Sequence, residues 1–353
     1  MQKRKKSKFD ITQQQVFPSL VTLIIMSGVG LYSLMTGRHS GIELIANDSL
    51  FASYITEFQL QHATLSALFA SLLIVVSATR LGRIVSTQNI CGVPTSIQLP
   101  ILGALLWSVT LGENYLVVAL VATLASHALG GFILTVRNNY SLANLFDATL
   151  AISLLPALYT PSIVLWFATP IILTMVVVTL REWIVALVGL LLPIAMVSYI
   201  YWLCGSDLSW FVVELYQRLY ISSDILSFST ILPFRMLLIL LSMALSILSL
   251  IWVKGHVHKS RVRLNIAAVL LFVPLLGGLF PSVNHLIFAL LAPAAALLTV
   301  FSLVNLRGKV ANTLYFMIIA LAILAMITPL DLPFEPLKLR PIVVPPWLDN
   351  LLG

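Results

Sequence analysis

Long apolar runs separated by short polar gaps govern this chain. A helix needs about 20 apolar residues to cross the hydrocarbon layer of a bilayer. On that ruler the sequence predicts eleven spans: 17–36, 63–79, 95–111, 115–135, 143–159, 162–180, 183–203, 234–253, 264–280, 286–305 and 311–328. The expected fold is an all-α polytopic membrane protein. Two gaps are too long for simple connectors. In 37–62, Asp48 precedes Leu50, Phe51, Tyr54, Ile55 and Phe58, a spacing that sets the apolar side chains on one helical stripe. In 204–233, the run LSWFVVELYQRLYI is rich in aromatics and interrupted only by Glu214, Gln217 and Arg218. Both read as amphipathic helices lying in the membrane interface. Three parts follow: a basic tail 1–16, one transmembrane domain 17–328, and a tail 329–353. Pro329, Pro333, Pro336, Pro341, Pro345 and Pro346 favour extended chain in that tail. Its tip, PPWLDNLLG, is apolar enough to dock onto a partner.

Composition agrees: 59% of residues are hydrophobic and 9% charged, with a mean hydropathy of +1.02. Soluble proteins carry about 25% charged residues. Charge then adds direction. The eleven spans send fifteen of the twenty Lys and Arg residues to one side. These are the tail lysines with Arg4, then Arg80/Arg83, Arg137, Arg181, the Lys254–Arg263 cluster and Arg307/Lys309. By the positive-inside rule that side is cytoplasmic, so the N-terminus is cytoplasmic and the C-terminus periplasmic. Ten of the thirteen acids share the other side with the remaining basic residues. The net charge of +7 is thus a sum of two unlike faces and does not point to nucleic acid. Residues 17–36 follow a basic N-terminus without a small-residue cleavage site, so they read as a retained signal anchor. Cys91 and Cys204 fall on opposite faces and are not expected to pair.

Candidate chemistry is sparse. Asp48 lies on the periplasmic side at the start of an interfacial helix, where an acid could act as general base toward an acceptor hydroxyl. Its competing role, which is favoured, is to cap that helix through Asn47-Asp48-Ser49. Glu57 and Glu43 are weaker versions of the same idea. His127 is the one ionisable residue deep in a predicted span, so it is a candidate proton relay. A helix–helix hydrogen bond near Ser126 is the preferred account. Arg137 and Arg181 could hold a phosphate headgroup with their guanidinium forks, or tie span ends together with Asp147. Asn284 and His285 open span ten and could face a site, although a polar helix end suffices. The His256-x-His258 pair is too little for a metal site, and no metal or cofactor is expected. Walker-type loops, HExxH, GxSxG and matched broken spans are missing from the sequence.

Several stretches carry a resemblance. Asn144-Leu-Phe-Asp147-Ala, Leu154 to Tyr159-Thr-Pro161, Arg181-Glu-Trp183 with Gly189 and Pro193, and Asn284-His285-Leu-Ile-Phe with Pro293 resemble an uncharacterised multi-pass inner-membrane family of Bacteroidota. The likeness spans residues 60–305 and implies a bacterial inner-membrane location, without an activity. The order of first span, periplasmic loop with interfacial helix and Asp48, then short-looped spans is similar to the GT-C glycosyltransferases. That implies a polyprenyl-phosphate-linked sugar as substrate. The chain departs from their layout in having isolated acids, not a DE or DxD pair, in the loop. The expectation is therefore a non-catalytic subunit or scaffold of a cell-envelope assembly. It is embedded in the lipid bilayer and presents its loops and tail to membrane or periplasmic proteins. A GT-C-like transferase is the alternative, and a transporter comes third.

Overall fold

The computed structural model describes residues 16–36, 51–93, 95–110, 114–136, 141–176, 179–205, 207, 209–220, 233–253, 258–279 and 286–327. Among these every regular element is helical. The helices are α1 (Val16–Met35), α2 (Ala52–Gln61), α3 (Ala63–Thr87), α4 (Gln98–Thr110), α5 (Tyr115–Thr135), α6 (Leu142–Leu158), α7 (Leu165–Val176), α8 (Leu180–Leu203), α9 (Trp210–Tyr220), α10 (Pro233–Val253), α11 (His258–Phe272), α12 (Leu286–Asn305) and α13 (Gly308–Ile327). A 3-10 segment, Thr160–Val164, leads into α7, and another, Val273–Leu279, prolongs α11. Eight helical segments are long and apolar enough to cross a membrane, and three shorter apolar ones accompany them.

Helix boundaries depart from the sequence reading where side chains override hydropathy. The span expected at 63–79 runs on to Thr87, so Arg80 and Arg83 sit in the last turns of α3 and not in a loop. Leu81, Ile84 and Val85 bury the opposite side of those turns, while the arginines stay at the surface, as long basic chains do at span ends. The span expected to begin at 183 starts at Leu180. The Glu182 carboxylate accepts the Thr179 N–H at 2.5 Å and the Thr179 hydroxyl at 3.1 Å, which satisfies an otherwise open helix start. α2 starts at Ala52 with Phe51 in the N-cap position, and the expected cap Asn47-Asp48-Ser49 lies outside the described residues.

Hydroxyls and small residues set how the helices pack, as expected where lipid tails are as apolar as leucine. Ser19 and Ser96 hydroxyls meet at 2.9 Å, and Trp107 Nε1 donates to Ser27 Oγ at 3.1 Å, so α1 and α4 run in the same direction. Tyr115 donates to the Ala63 carbonyl at 2.8 Å and Ser77 to Thr123 at 3.0 Å, which aligns α3 with α5 in the same way. On either side of α6 stand two glycines. A Cβ at Gly131 would lie 2.8 Å from Ala148 Cβ and 2.9 Å from the Asn144 carbonyl. One at Gly189 would lie 3.1 Å from the Phe146 carbonyl and collide with the Thr149 hydroxyl. α5, α6 and α8 therefore approach backbone to backbone. Thr299 and Ser302 of α12 donate to the Ser242 and Leu245 carbonyls of α10 at 3.2 and 2.5 Å.

The core is centred on α12, whose apolar window is 94% buried. α4, with thirteen residues, covers about 20 Å. It is shielded by α1, α3, α12 and α13, and Trp107 in its last turn is fully buried.

Candidate functional site

Polar groups collect at the start of α5 and again about 18 Å along it, toward the basic end. At the basic end, Arg80 Nη1 is hydrogen-bonded to His127 Nδ1, and Nη2 lies 3.4 Å from Nε2. Asp147 of α6 stands within electrostatic reach of Arg80. His127 lies about 18 Å along α5 from Tyr115, at 1.5 Å per residue. A guanidinium has donors only, so the imidazole atom that meets it must accept and the ring must be neutral. That geometry suits a helix-to-helix tie between α3 and α5, and it is poorly suited to a relay that must hold a proton. The partner of His127 is thus Arg80, not the neighbouring Ser126. Arg263 secures the same end by donating to the Gln88 backbone carbonyl at 3.1 Å and to Gln88 Oε1 at 3.0 Å. Cys91, in the loop between α3 and α4, is buried, and burial pushes its thiol up to about 12. It is therefore protonated at neutral pH and no nucleophile.

At the other end, α2 lies over the start of α5. Gln59 Oε1 accepts the Leu116 N–H at 3.0 Å, and Thr56 donates to Asn114 Oδ1 at 3.2 Å. A side chain from another helix thus does what a local cap would do. The buried side of α2 is Ala52, Thr56 and Gln59, while Tyr54 and Phe58 of the predicted apolar stripe face outward. Glu57 is exposed, accepts a 3.4 Å hydrogen bond from Gln61, and lines neither of the two lateral pockets described below.

Beside α2 sits α9, whose Leu215 packs against Phe51, Ile194 and Val197. Glu214 and Arg218 form an ion pair of 2.7 Å one helical turn apart. The Tyr201 hydroxyl of α8 lies within electrostatic reach of Tyr54, Glu214 and Arg218. Beneath this cluster a pocket of about 220 Å³ opens sideways between α5, α6 and α8, lined by apolar side chains and Ser153. A second lateral groove of about 460 Å³ separates α1 from α13 and is lined by Ile25, Gly28, Val29, Tyr32, Ser33, Met326 and Ile327. In the centre of the bundle the space between Leu129, Leu155, Leu270 and Pro293 amounts to only about 10 Å³.

Among the described residues, the sequence-predicted ones do not converge. Glu57 is at the α2 end, whereas His127 and the exposed Arg181 are toward the basic end. Asp48, Arg137, Asn284 and His285 lie outside the described residues. Sequence reading passed over Arg80 as a simple topology marker. It also missed the meeting of Tyr54, Tyr201, Glu214 and Arg218. The i, i+4 spacing of Glu214 and Arg218 was the available signal. Among the described residues no three His, Cys, Asp or Glu side chains gather as metal ligands. Compared with known proteins, the chain matches no family model, no curated protein and no solved structure.

Proposed function

We propose that this is an eleven-span protein of a bacterial inner membrane that acts as a non-catalytic subunit or scaffold of a cell-envelope assembly. Its N-terminus is cytoplasmic, and it presents the periplasmic loops 37–62 and 204–233 and the tail 329–353 to partner proteins. The observation that carries this reading is the close packing around α12 among the described residues. α12 is almost wholly buried, the pocket that it lines together with α5, α6 and α11 holds only about 10 Å³, and the hydroxyls of α10 and α12 bond to one another's helices. Function then falls to the perimeter and the end formed by α2 and α9. Where α12 meets α5, α6 and α11, that packing leaves little room for the central binding site that a transporter needs near the bilayer midplane.

A GT-C-like transferase remains the second reading, favoured by the lateral pocket below α2 and α9, which could take a polyprenyl chain. Purification in mild detergent separates the two. A scaffold copurifies with a membrane or periplasmic protein in fixed stoichiometry, and Asp48→Asn restores every envelope phenotype of a deletion strain. Loss of an envelope glycan on deletion, unrescued by Asp48→Asn, sinks the scaffold reading in favour of the enzyme.

A further inference from the structure

We propose that the pocket between α5, α6 and α8 is a selective site for one bilayer phospholipid with a phosphoethanolamine head, going beyond the scaffold reading. Its wall is formed by Leu124 of α5, Leu154 and Leu158 of α6, and Ile194 and Val197 of α8, closed at one end by Phe51. Leu154 and Leu158 are half-buried and turn toward this space. At about 220 Å³ the pocket accommodates a hydrocarbon chain and excludes a helix, which is 10–12 Å across with its side chains. Pro193 deprives α8 of one backbone N–H at this wall, and Ser153 of α6 donates across to the Leu190 carbonyl at 2.5 Å.

The rim supplies the selectivity. Val197 and Tyr201 are one turn apart on α8, and Phe51 and Tyr54 one turn apart at the start of α2. Leu215 is likewise one turn from Arg218 on α9. Phe51 and Val197 of the pocket wall, and Leu215 packed against both, thus each have a polar residue one turn along their helix, in the order of a chain and its head. The Glu214–Arg218 pair presents a negative and a positive group side by side at 2.7 Å, each only partly exposed. A phosphoethanolamine head is the mirror of that arrangement, its phosphate toward Arg218 and the phenols and its ammonium toward Glu214. A choline head has no N–H to give Glu214, and a glycerol head has no cation. The α1–α13 groove is larger, has no ion pair beside it among the described residues, and serves as the internal control.

The test uses the full chain in nanodiscs of equal phosphatidylethanolamine, phosphatidylglycerol and phosphatidylcholine. Lipid retained after exhaustive detergent washing is counted by native mass spectrometry. The wild type is expected to hold one phosphatidylethanolamine per chain, preferred about tenfold over the other two, a difference of about 1.4 kcal/mol. Leu154→Trp should abolish retention and Glu214→Gln should erase the preference over phosphatidylcholine. Gly28→Leu, at a position with open space around it in the α1–α13 groove, should change neither. Equal retention of phosphatidylglycerol, capture of added polyprenyl phosphate in its place, no retained lipid, or equal loss in Gly28→Leu each overturns the proposal. The wild-type competition needs no variant, so a Leu154→Trp chain that fails to fold does not leave the question open.

Discussion

α12 and α8 are both long apolar helices, of 20 and 24 residues, with similar hydropathy, yet 94% of the α12 window is buried and only 17% of that of α8. What separates them is side-chain size and the placing of hydroxyls. α12 carries Ala292, Ala294, Ala295 and Ala296 at the centre, with Thr299 and Ser302 reaching α10. α8 touches the bundle along a narrow strip that includes Ala186, Gly189 and Pro193, and turns Ile184, Leu187, Leu191, Tyr199 and Trp202 outward. In a bilayer, apolarity does not report burial, because lipid and protein interior are equally dry. Small residues report it, since they let backbones come close.

Thiol chemistry offers the largest contrast between inside and outside. Cys204, exposed at the end of α8, should react fully with a maleimide, and Cys91 not at all until the chain is unfolded. Labelling of Cys91 in the folded protein would break the comparison. The same burial has a pH consequence. With the folded thiol pushed up to about 12, both states are protonated below about pH 8.5 and nothing changes there. Above that, only the unfolded chain ionises, so stability should fall by about 1.4 kcal/mol per pH unit until the folded thiol titrates. Cys91→Ala should show a shallower decline in thermal midpoint over that range.

Next comes packing. Ala296→Leu places a larger side chain at a fully buried position of α12 and should cost about 1–3 kcal/mol, read from thermal unfolding in detergent. Gly189→Leu should cost a comparable amount by pushing α8 off Phe146 and Thr149. Here the readout is local: faster proteolysis flanking α8 while the α12 core still melts cooperatively. A uniform loss of stability would mean that α8 is less peripheral than its exposure indicates. Thr299→Val removes one interhelical hydrogen bond and should cost about 0.6 kcal/mol. At the small end, Leu191→Ala on the outward face of α8 should stay within about 0.5 kcal/mol of wild type. A cost above that of Thr299→Val would show that another surface covers this face.

Much of the architecture was legible in the chain. The apolar runs coincide with helices because a span must satisfy its own backbone within the bilayer, which leaves few alternatives. Boundaries slipped at Arg80, which snorkels from within α3, and at Thr179–Glu182, a capping pattern hidden inside an apolar stretch. The site fared worse. Glu57 and Arg181 carry charges that stand out in the sequence but do not come together, whereas Tyr201 and Arg218 converge from helices that no local pattern links. His127 stands out in the sequence for its rarity, but its partner lies 47 positions away.

Hydropathy alone settles that this protein is a bundle of membrane-length helices, and charge asymmetry alone predicts which way they point. Both follow from transfer free energies that each segment feels by itself. Which helix becomes the core, which glycines face a backbone, and which polar ends meet around a pocket depend on packing between segments. Those contacts are made by small and hydroxylated residues whose transfer energies are nearly neutral, so hydropathy leaves them almost silent until the helices have assembled.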